Sequence, residues 1–223
     1  MCDMLGISSL ESVNAKYTLS YFARKYSNKD PDGWGVASYN MDNKPCITKR
    51  PSKVTDDNEY FDYVSDLERK IIIAHLRHAS VGTLNQFNTH PFMKEFAGKD
   101  WIFAHNGNVE NIPKHKDSFG NTDSEQLFNH LLDYRGTDSS LTSAIERALN
   151  EFDRKSSMNI VMSNGKELFA FHHYSQKPMY YTKCKLGIMV STQLFGYYQW
   201  DKMLSDRLYE FESGRLAAIG EKV

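Results

Sequence analysis

The stretch Met158-Asn159-Ile160-Val161-Met162-Ser163-Asn164-Gly165-Lys166-Glu167-Leu168-Phe169-Ala170-Phe171-His172 holds two short apolar runs with a turn between them. Both runs are shorter than an ordinary helix and rich in β-branched or aromatic residues, which is the signature of strands. Ser163-Asn164-Gly165 is a turn signal, so the pair reads as an antiparallel hairpin. Outward from it, runs of the same kind fall at 5–8, 34–39, 71–77, 101–105, 179–182 and 186–191. Helical spacing fits 15–26, where Leu19, Phe22, Ala23 and Tyr26 share a face, and also 58–70, 124–134 and 141–152. The last carries the stripe Leu141, Ala144, Ile145, Ala148, Leu149 and Phe152. Strands outnumber helices and often follow one another directly, which predicts an α+β fold of antiparallel sheets with helices layered outside. The pattern by itself supplies no layer order.

The whole chain sets the frame for these elements. Its 223 residues are enough for a substantial core and fit one domain spanning 1–223, with no repeat or Pro/Gly/Ser-rich linker to divide it. Hydrophobic residues at 40% and charged residues at 25% are ordinary for a globular protein, and disorder is excluded. A net charge of -1 and the lack of a basic stripe argue against nucleic acid as a partner. Lys49, Arg50 and Lys53 form a short basic cluster that reads as a solvated loop. No apolar run reaches membrane-spanning length and no secretory leader pattern opens the chain, so a cytoplasmic protein without membrane attachment is expected. Cys2, Cys46 and Cys184 are odd in number and lack a CxxC spacing, which points to free thiols.

Four segments could carry chemistry. Cys2 follows Met1 directly, and its small side chain permits excision of Met1. A thiol and a free α-amine would then share one residue, and the amine can act as the base for its own side chain. Position alone favours a packed cysteine over a catalyst. The run Ile71-Ile72-Ile73-Ala74-His75-Leu76-Arg77-His78-Ala79-Ser80 delivers Arg77 at a strand end, where a guanidinium can grip a carboxylate or make a surface salt bridge. His75 and His78, with His90 and His105, invite a metal reading. Strand neighbours three apart point to opposite faces, so structural histidines and no metal are expected. Trp101-Ile102-Phe103-Ala104-His105-Asn106-Gly107-Asn108 runs an apolar strand into a polar turn. Asn106 and the Gly107 N–H could form an oxyanion hole, or could equally be a common Asn-Gly turn. Thr122-Asp123-Ser124-Glu125 has capping-box spacing, and Asp123 beside a helix start could serve a substrate ammonium.

Taken in order, these pieces resemble the class II glutamine amidotransferases, a family of N-terminal-nucleophile hydrolases. The matching pieces are Met1-Cys2 with Leu5-Gly6, Asp32-Gly33-Trp34-Gly35, His75-Leu76-Arg77-His78-Ala79-Ser80, Asn88-Thr89-His90-Pro91-Phe92, His105-Asn106-Gly107 and Thr122-Asp123-Ser124-Glu125. Ser191-Thr192-Gln193 with Trp200 is similar to the C-terminal part of the small stand-alone branch, so the resemblance covers nearly the full length. It implies a four-layer αββα sandwich. It also implies that Cys2 attacks the amide of glutamine, that Asn106 and the Gly107 N–H stabilise the oxyanion, and that Arg77 and Asp123 hold the substrate carboxylate and ammonium. Ser80 would contribute nearby. No metal or organic cofactor is implied. Larger members often carry an aromatic residue where this chain has His78, so closure over the substrate is expected to differ. With 223 residues there is no room for a synthase domain, so either a separate partner consumes the ammonia or the chain hydrolyses a γ-glutamyl amide. The alternatives are a γ-glutamyl peptide hydrolase and a non-catalytic binding or regulatory module on the same fold.

Overall fold

The computed structural model describes residues 2–80, 82–136, 140–152, 155–173 and 177–223; Met1, the start of the Met1-Cys2 motif, lies outside them. In chain order the elements are β1 (Asp3–Asn14), α1 (Lys16–Tyr26), β2 (Gly33–Tyr39), β3 (Pro45–Arg50), α2 (Asn58–Ser65), β4 (Glu68–Arg77), β5 (Phe92–Phe96) and β6 (Lys99–Asn108). They continue with α3 (Asp123–Arg135), α4 (Leu141–Glu151), β7 (Ser157–Ser163), β8 (Glu167–His173), β9 (Tyr180–Cys184), β10 (Gly187–Ser191), β11 (Asp201–Lys202), β12 (Arg207–Glu212) and β13 (Arg215–Lys222). One sheet has the order β11-β9-β10-β1-β4-β2-β3, the other β13-β12-β8-β7-β6-β5. Every pairing is antiparallel.

Three apolar clusters establish the layers. Met4, Ala37 and Ile73 from the first sheet meet Ile102, Ala104, Val161 and Leu168 from the second, so the two sheets face each other. The outer face of the first sheet packs on α1 and α2 through Leu5, Trp34, Ile72, Leu19, Phe22 and Tyr60. On the far side, Phe103, Met158 and Phe171 pack on Leu127, Leu131, Ile145 and Leu149 of α3 and α4. The result is the αββα sandwich that the family resemblance implied, and each fully buried Leu, Ile or Phe adds roughly 1.5–3 kcal/mol to it.

Local chemistry explains where the elements begin and end. Asp57 caps α2 by accepting from the Glu59 N–H at 3.1 Å, and Ser140 caps α4 by accepting from Ser143 N at 3.1 Å. In the decisive hairpin Ser163 pairs with Leu168, and the Asn164 Oδ1 accepts from Lys166 and Glu167 backbone N–H groups, each at 3.0 Å. Gly165 adopts φ 89° there, a conformation that disfavours side chains.

Several sequence expectations need correction. The helix expected over 58–70 stops at Ser65, because Glu68 already pairs with Asn14 as β4 enters the sheet. Strands β3, β5, β11, β12 and β13 were not anticipated. The basic cluster expected as a solvated loop places Lys49 and Arg50 on β3. Lys49 is largely withdrawn from water, its Nζ donating to the carbonyls of Thr89 (2.6 Å) and Pro91 (3.0 Å), and burial lowers its pKa to about 8. Among the described residues, no helix is long and apolar enough to cross a membrane.

Candidate active site

Strand β1 begins directly after Cys2, and its pairing with β4 sets Asp3 opposite Leu76. That register brings Cys2 beside the residue that follows Arg77. The His78 N–H donates to the Cys2 Sγ at 3.2 Å, and the thiol in turn lies 3.4 Å from the His78 carbonyl. Burial pushes the Cys2 thiol up to about 11; the His78 N–H works in the opposite direction and is the smaller effect. Asp30 also raises it, while Lys177 lowers it.

The carbonyl of Cys2 is held from two sides. Asn106 Nδ2 donates to it at 2.6 Å from the end of β6, and Lys177 Nζ donates at 3.0 Å. Asn106 is buried and pairs in register with Asn159 of β7. Asn159 is itself held at both ends of its amide: its Oδ1 lies 2.7 Å from His172 Nδ1, and its Nδ2 donates to the Lys177 carbonyl at 2.7 Å. Gly107 is a position where only glycine fits, since a Cβ would lie 1.8 Å from the Ser157 carbonyl oxygen. Gly35 is similar, with the His90 carbonyl 2.1 Å from where a Cβ would be, which accounts for the second glycine of Gly33-Trp34-Gly35.

Arg77 is buried at the end of β4, and its Nη1 donates to the Thr83 carbonyl at 3.2 Å. Burial lowers its pKa, while Cys2 and Asp32 act to raise it. The Thr83 carbonyl also accepts from Asn88 Nδ2 (3.1 Å), which donates to Asn121 Oδ1 (2.7 Å) two residues before Asp123. This relay ties the Arg77 loop to the start of α3. Asp123 is half-buried there, with Oδ2 accepting from the Val109 N–H at 2.7 Å. It lines a cavity of about 320 Å³ with Gly120, Asn121, Thr122 and Gln126.

The capping-box expectation is met only in part. Thr122 Oγ1 accepts from Glu125 N at 3.3 Å, but the Glu125 carboxylate turns to Phe119 N (2.9 Å) and Gly120 N (2.7 Å), bracing the loop instead. Ser80 is exposed in the bend after β4. Cys2, Arg77 and Asn106 therefore gather at one end of the sandwich, Asp123 is tied in through the asparagine relay, and Ser80 lies at the rim. His75 and His78 diverge, the first wholly buried and the second exposed. Among the described residues no group of three His, Cys, Asp or Glu side chains is arranged to hold a metal ion.

Sequence reading missed Lys177, Asp3, Asp30, Asn159 and His172. Asp3 Oδ1 collects Lys177 Nζ (2.8 Å), Gln193 Nε2 (2.8 Å) and Thr192 Oγ1 (3.1 Å). Thr192 and Gln193 do lie in the Ser191-Thr192-Gln193 motif, which is the one sequence signal that pointed toward this network.

The family model "Glutamine amidotransferases class-II" matches residues 1–185. A Haemophilus influenzae protein named "Putative glutamine amidotransferase" is 26% identical over 256 residues, covering 98% of this chain and 86% of its own. A class-II domain protein from Silicibacter pomeroyi has the same fold, with a TM-score of 0.72 at 18% identity and 98% of each chain covered. The glutamine phosphoribosylpyrophosphate amidotransferase of B. subtilis also shares the fold, with a TM-score of 0.72 at 16% identity over 95% of this chain and 47% of its own. The chain belongs to the class II glutamine amidotransferases.

Proposed function

We propose that the chain hydrolyses the side-chain amide of glutamine, or of a related γ-glutamyl compound, with Cys2 as nucleophile once Met1 has been removed. The observation that carries this reading is the seat of Cys2: its thiol takes the His78 N–H, and its carbonyl is held by Asn106 and Lys177 beside the buried Arg77. A thiol raised to about 11 supplies on the order of one thiolate in 10⁴ at pH 7, so a local base is needed. The α-amine freed on Cys2 is that base.

In the reaction the amine takes the thiol proton as Sγ bonds to the amide carbon. The same proton passes to the departing nitrogen as the C–N bond breaks, and ammonia leaves. Water then adds to the thioester, giving a proton through the amine to Sγ as the C–S bond breaks and glutamate is released. Asn106 Nδ2 carries two N–H donors, one given to the Cys2 carbonyl, leaving the other for the oxyanion together with the Gly107 N–H. Arg77 pairs with the substrate α-carboxylate and Asp123 with its α-ammonium. Ser80 contributes to the rim of the same site. A synthase partner would be the natural consumer of the ammonia.

The test begins with the intact mass of the mature chain, which should lack Met1. Glutamine and a panel of γ-glutamyl amides and peptides are then assayed for glutamate and ammonia. Equimolar glutamate and ammonia from glutamine, or glutamate and the leaving amine from a substituted amide or peptide, lost in Cys2→Ala with the circular dichroism spectrum unchanged, is the expected result. Undiminished turnover in that variant overturns the reading.

A further inference from the structure

Directly behind Cys2 lies a pair of buried carboxyl groups that the reaction above does not use. Asp3 and Asp30 are both fully buried. Asp3 Oδ1 takes three donors, but its Oδ2 meets no donor among the described residues. Neither oxygen of Asp30 meets one either, and the charged neighbour that acts on it most strongly is the Asp3 carboxylate. Two neighbouring buried carboxyl groups resist ionising together, and of the pair it is Asp30 that is held toward its protonated form. Burial is the first cause that holds the Asp30 pKa well above the usual carboxylate range, and the Asp3 charge is the second.

The cations that act on Asp30 make no bond with it. Lys177 Nζ is 2.8 Å from Asp3 Oδ1 and reaches the Cys2 carbonyl as well. The N-terminal ammonium carried by Met1 also acts on Asp30, but more weakly than Lys177, and neither cation is bonded to it, so an ionised Asp30 has no partner in contact. Excision of Met1 moves that ammonium onto Cys2, one residue closer. The new α-ammonium sits on Cys2, whose Cα is about 3.8 Å from that of Asp3. Asp30 is brought to the same spot by a second tether: the Lys29 carbonyl lies 2.9 Å from His78 Nδ1, and the backbone of His78 brackets the Cys2 thiol.

We propose that Asp30 is the positioning residue for the mature N-terminus, an internal counter-ion that ionises when Met1 is removed and holds the Cys2 α-amine against the thiol. The charged and titratable groups around the pair are Asp3 on β1, Lys177 before β9, the N-terminal ammonium, Cys2 itself, and Tyr26 of α1, on which Asp3 also acts. Arg77, on which Cys2 and Asp32 both act, is a further charge near the thiol. This inference rests on the N-terminal nucleophile reading and adds a maturation step to it: an unprocessed chain keeps a neutral Asp30 and lacks the amine, whereas a processed chain has an ion pair beneath the nucleophile.

The experiment compares full-length chain with Met1 retained and chain trimmed by a methionine aminopeptidase, both labelled with ¹³C-Asp. The Asp30 carboxyl resonance, assigned with Asp30→Asn, is titrated in each. Its midpoint should fall by a pH unit or more on removal of Met1; an unchanged midpoint overturns the proposal. In the trimmed chain, Asp30→Asn should also move the acidic limb of the glutaminase profile to lower pH, because the amine loses the carboxylate that raises its pKa, and should lower kcat more than it raises KM. Asp30→Glu should return the limb toward the wild-type position. A profile of unchanged shape in Asp30→Asn, merely reduced in height, indicates a packing role and also overturns the proposal. The carboxyl titration needs no variant to fold beyond the assignment sample, and it reads without turnover. Loss of the nucleophile reading is seen separately, in Cys2→Ala.

Discussion

Asn106 and Lys177 are 104 and 175 residues from Cys2 in the chain, yet both donate to its carbonyl oxygen. That convergence fixes the Cys2 backbone and leaves its side chain to the His78 N–H and to substrate. It also divides the labour among residues in a way that kinetics can read. In the proposed reaction Asn106 acts on charge that develops only as Sγ attacks, so Asn106→Ala should lower kcat by about 10²–10³ with KM close to wild type. A raised KM with unchanged kcat would assign Asn106 to ground-state binding. Arg77, in the same proposal, acts on a carboxylate present throughout, and a charge-assisted bond of about 1.5–3 kcal/mol is at stake. Arg77→Lys keeps the charge and loses the planar fork, so KM for glutamine should rise by about 10- to 100-fold while kcat changes less. Steady-state kinetics on both variants checks the pair. An Arg77→Lys enzyme with wild-type KM would remove Arg77 from carboxylate recognition.

Elements carry these residues only where strand pairing lets backbones approach closely, and β6 against β7 is one such place. Gly107 pairs with Met158, and the Ser157 carbonyl occupies the space of a missing Cβ. Gly107→Ala should therefore force the two strands apart, costing about 1–3 kcal/mol as overpacking and lowering the melting temperature by several degrees. It should also lower kcat, by shifting Asn106 away from Cys2; a melting curve and turnover identical to wild type would show that the strands yield freely. Sequence reading reached this element because Trp101, Phe103 and His105 run straight into Asn106-Gly107. It reached α4 for a related reason: Leu141, Ala144, Ile145, Ala148 and Leu149 are all buried, at the spacing of one helix face. It failed where pairing partners are distant. The helical spacing through Leu67 says nothing of the Asn14–Glu68 pairing that ends α2 early. Arg207-Leu208-Tyr209-Glu210-Phe211-Glu212 became β12 through pairing with β8, and the edge strand β13 leaves its Leu216-Ala217-Ala218-Ile219 run largely exposed, with no in-out alternation to find. The same limit hid Asp30 and Lys177, whose meaning lies in contacts with Asp3 and Cys2 and in no local motif.

At the scale of the whole molecule, three imidazoles are buried near the candidate site: His75 and His90 beside each other, and His105 against the start of α3. His75 stacks on His90 at 4.2 Å between ring centroids, and its Nε2 lies 3.3 Å from the His105 carbonyl. His105 in turn lies 2.9 Å from Ser124 Oγ through Nδ1 and 3.1 Å from the Ser157 carbonyl through Nε2. Burial is the first cause that lowers all three pKa values, to about 3 for His75, with Lys49 and Arg77 adding positive charge around His90. A histidine whose folded pKa lies below 6.5 binds its proton more readily when the chain is unfolded. Its full contribution to stability is thus present above about pH 6.5 and is lost as pH falls toward the folded value. Asp30 has the opposite sign while it stays neutral: its raised folded pKa favours the folded chain more as pH falls. Below pH 6.5 these three histidines, joined by His172, which burial lowers as well, act against one carboxyl, so the melting temperature should fall between pH 6.5 and pH 5. Each histidine contributes up to about 1.4 kcal/mol per pH unit within its window. His90 sharpens the test, because neither ring nitrogen has a partner among the described residues. His90→Phe keeps the stacking against His75 and Phe92 while removing one titrating group, and should flatten the slope whatever its effect on the plateau at pH 7.5. Melting curves of both proteins at half-unit intervals across this range decide it. Parallel slopes would mean that His90 takes up its proton without unfolding, and that water reaches its buried ring.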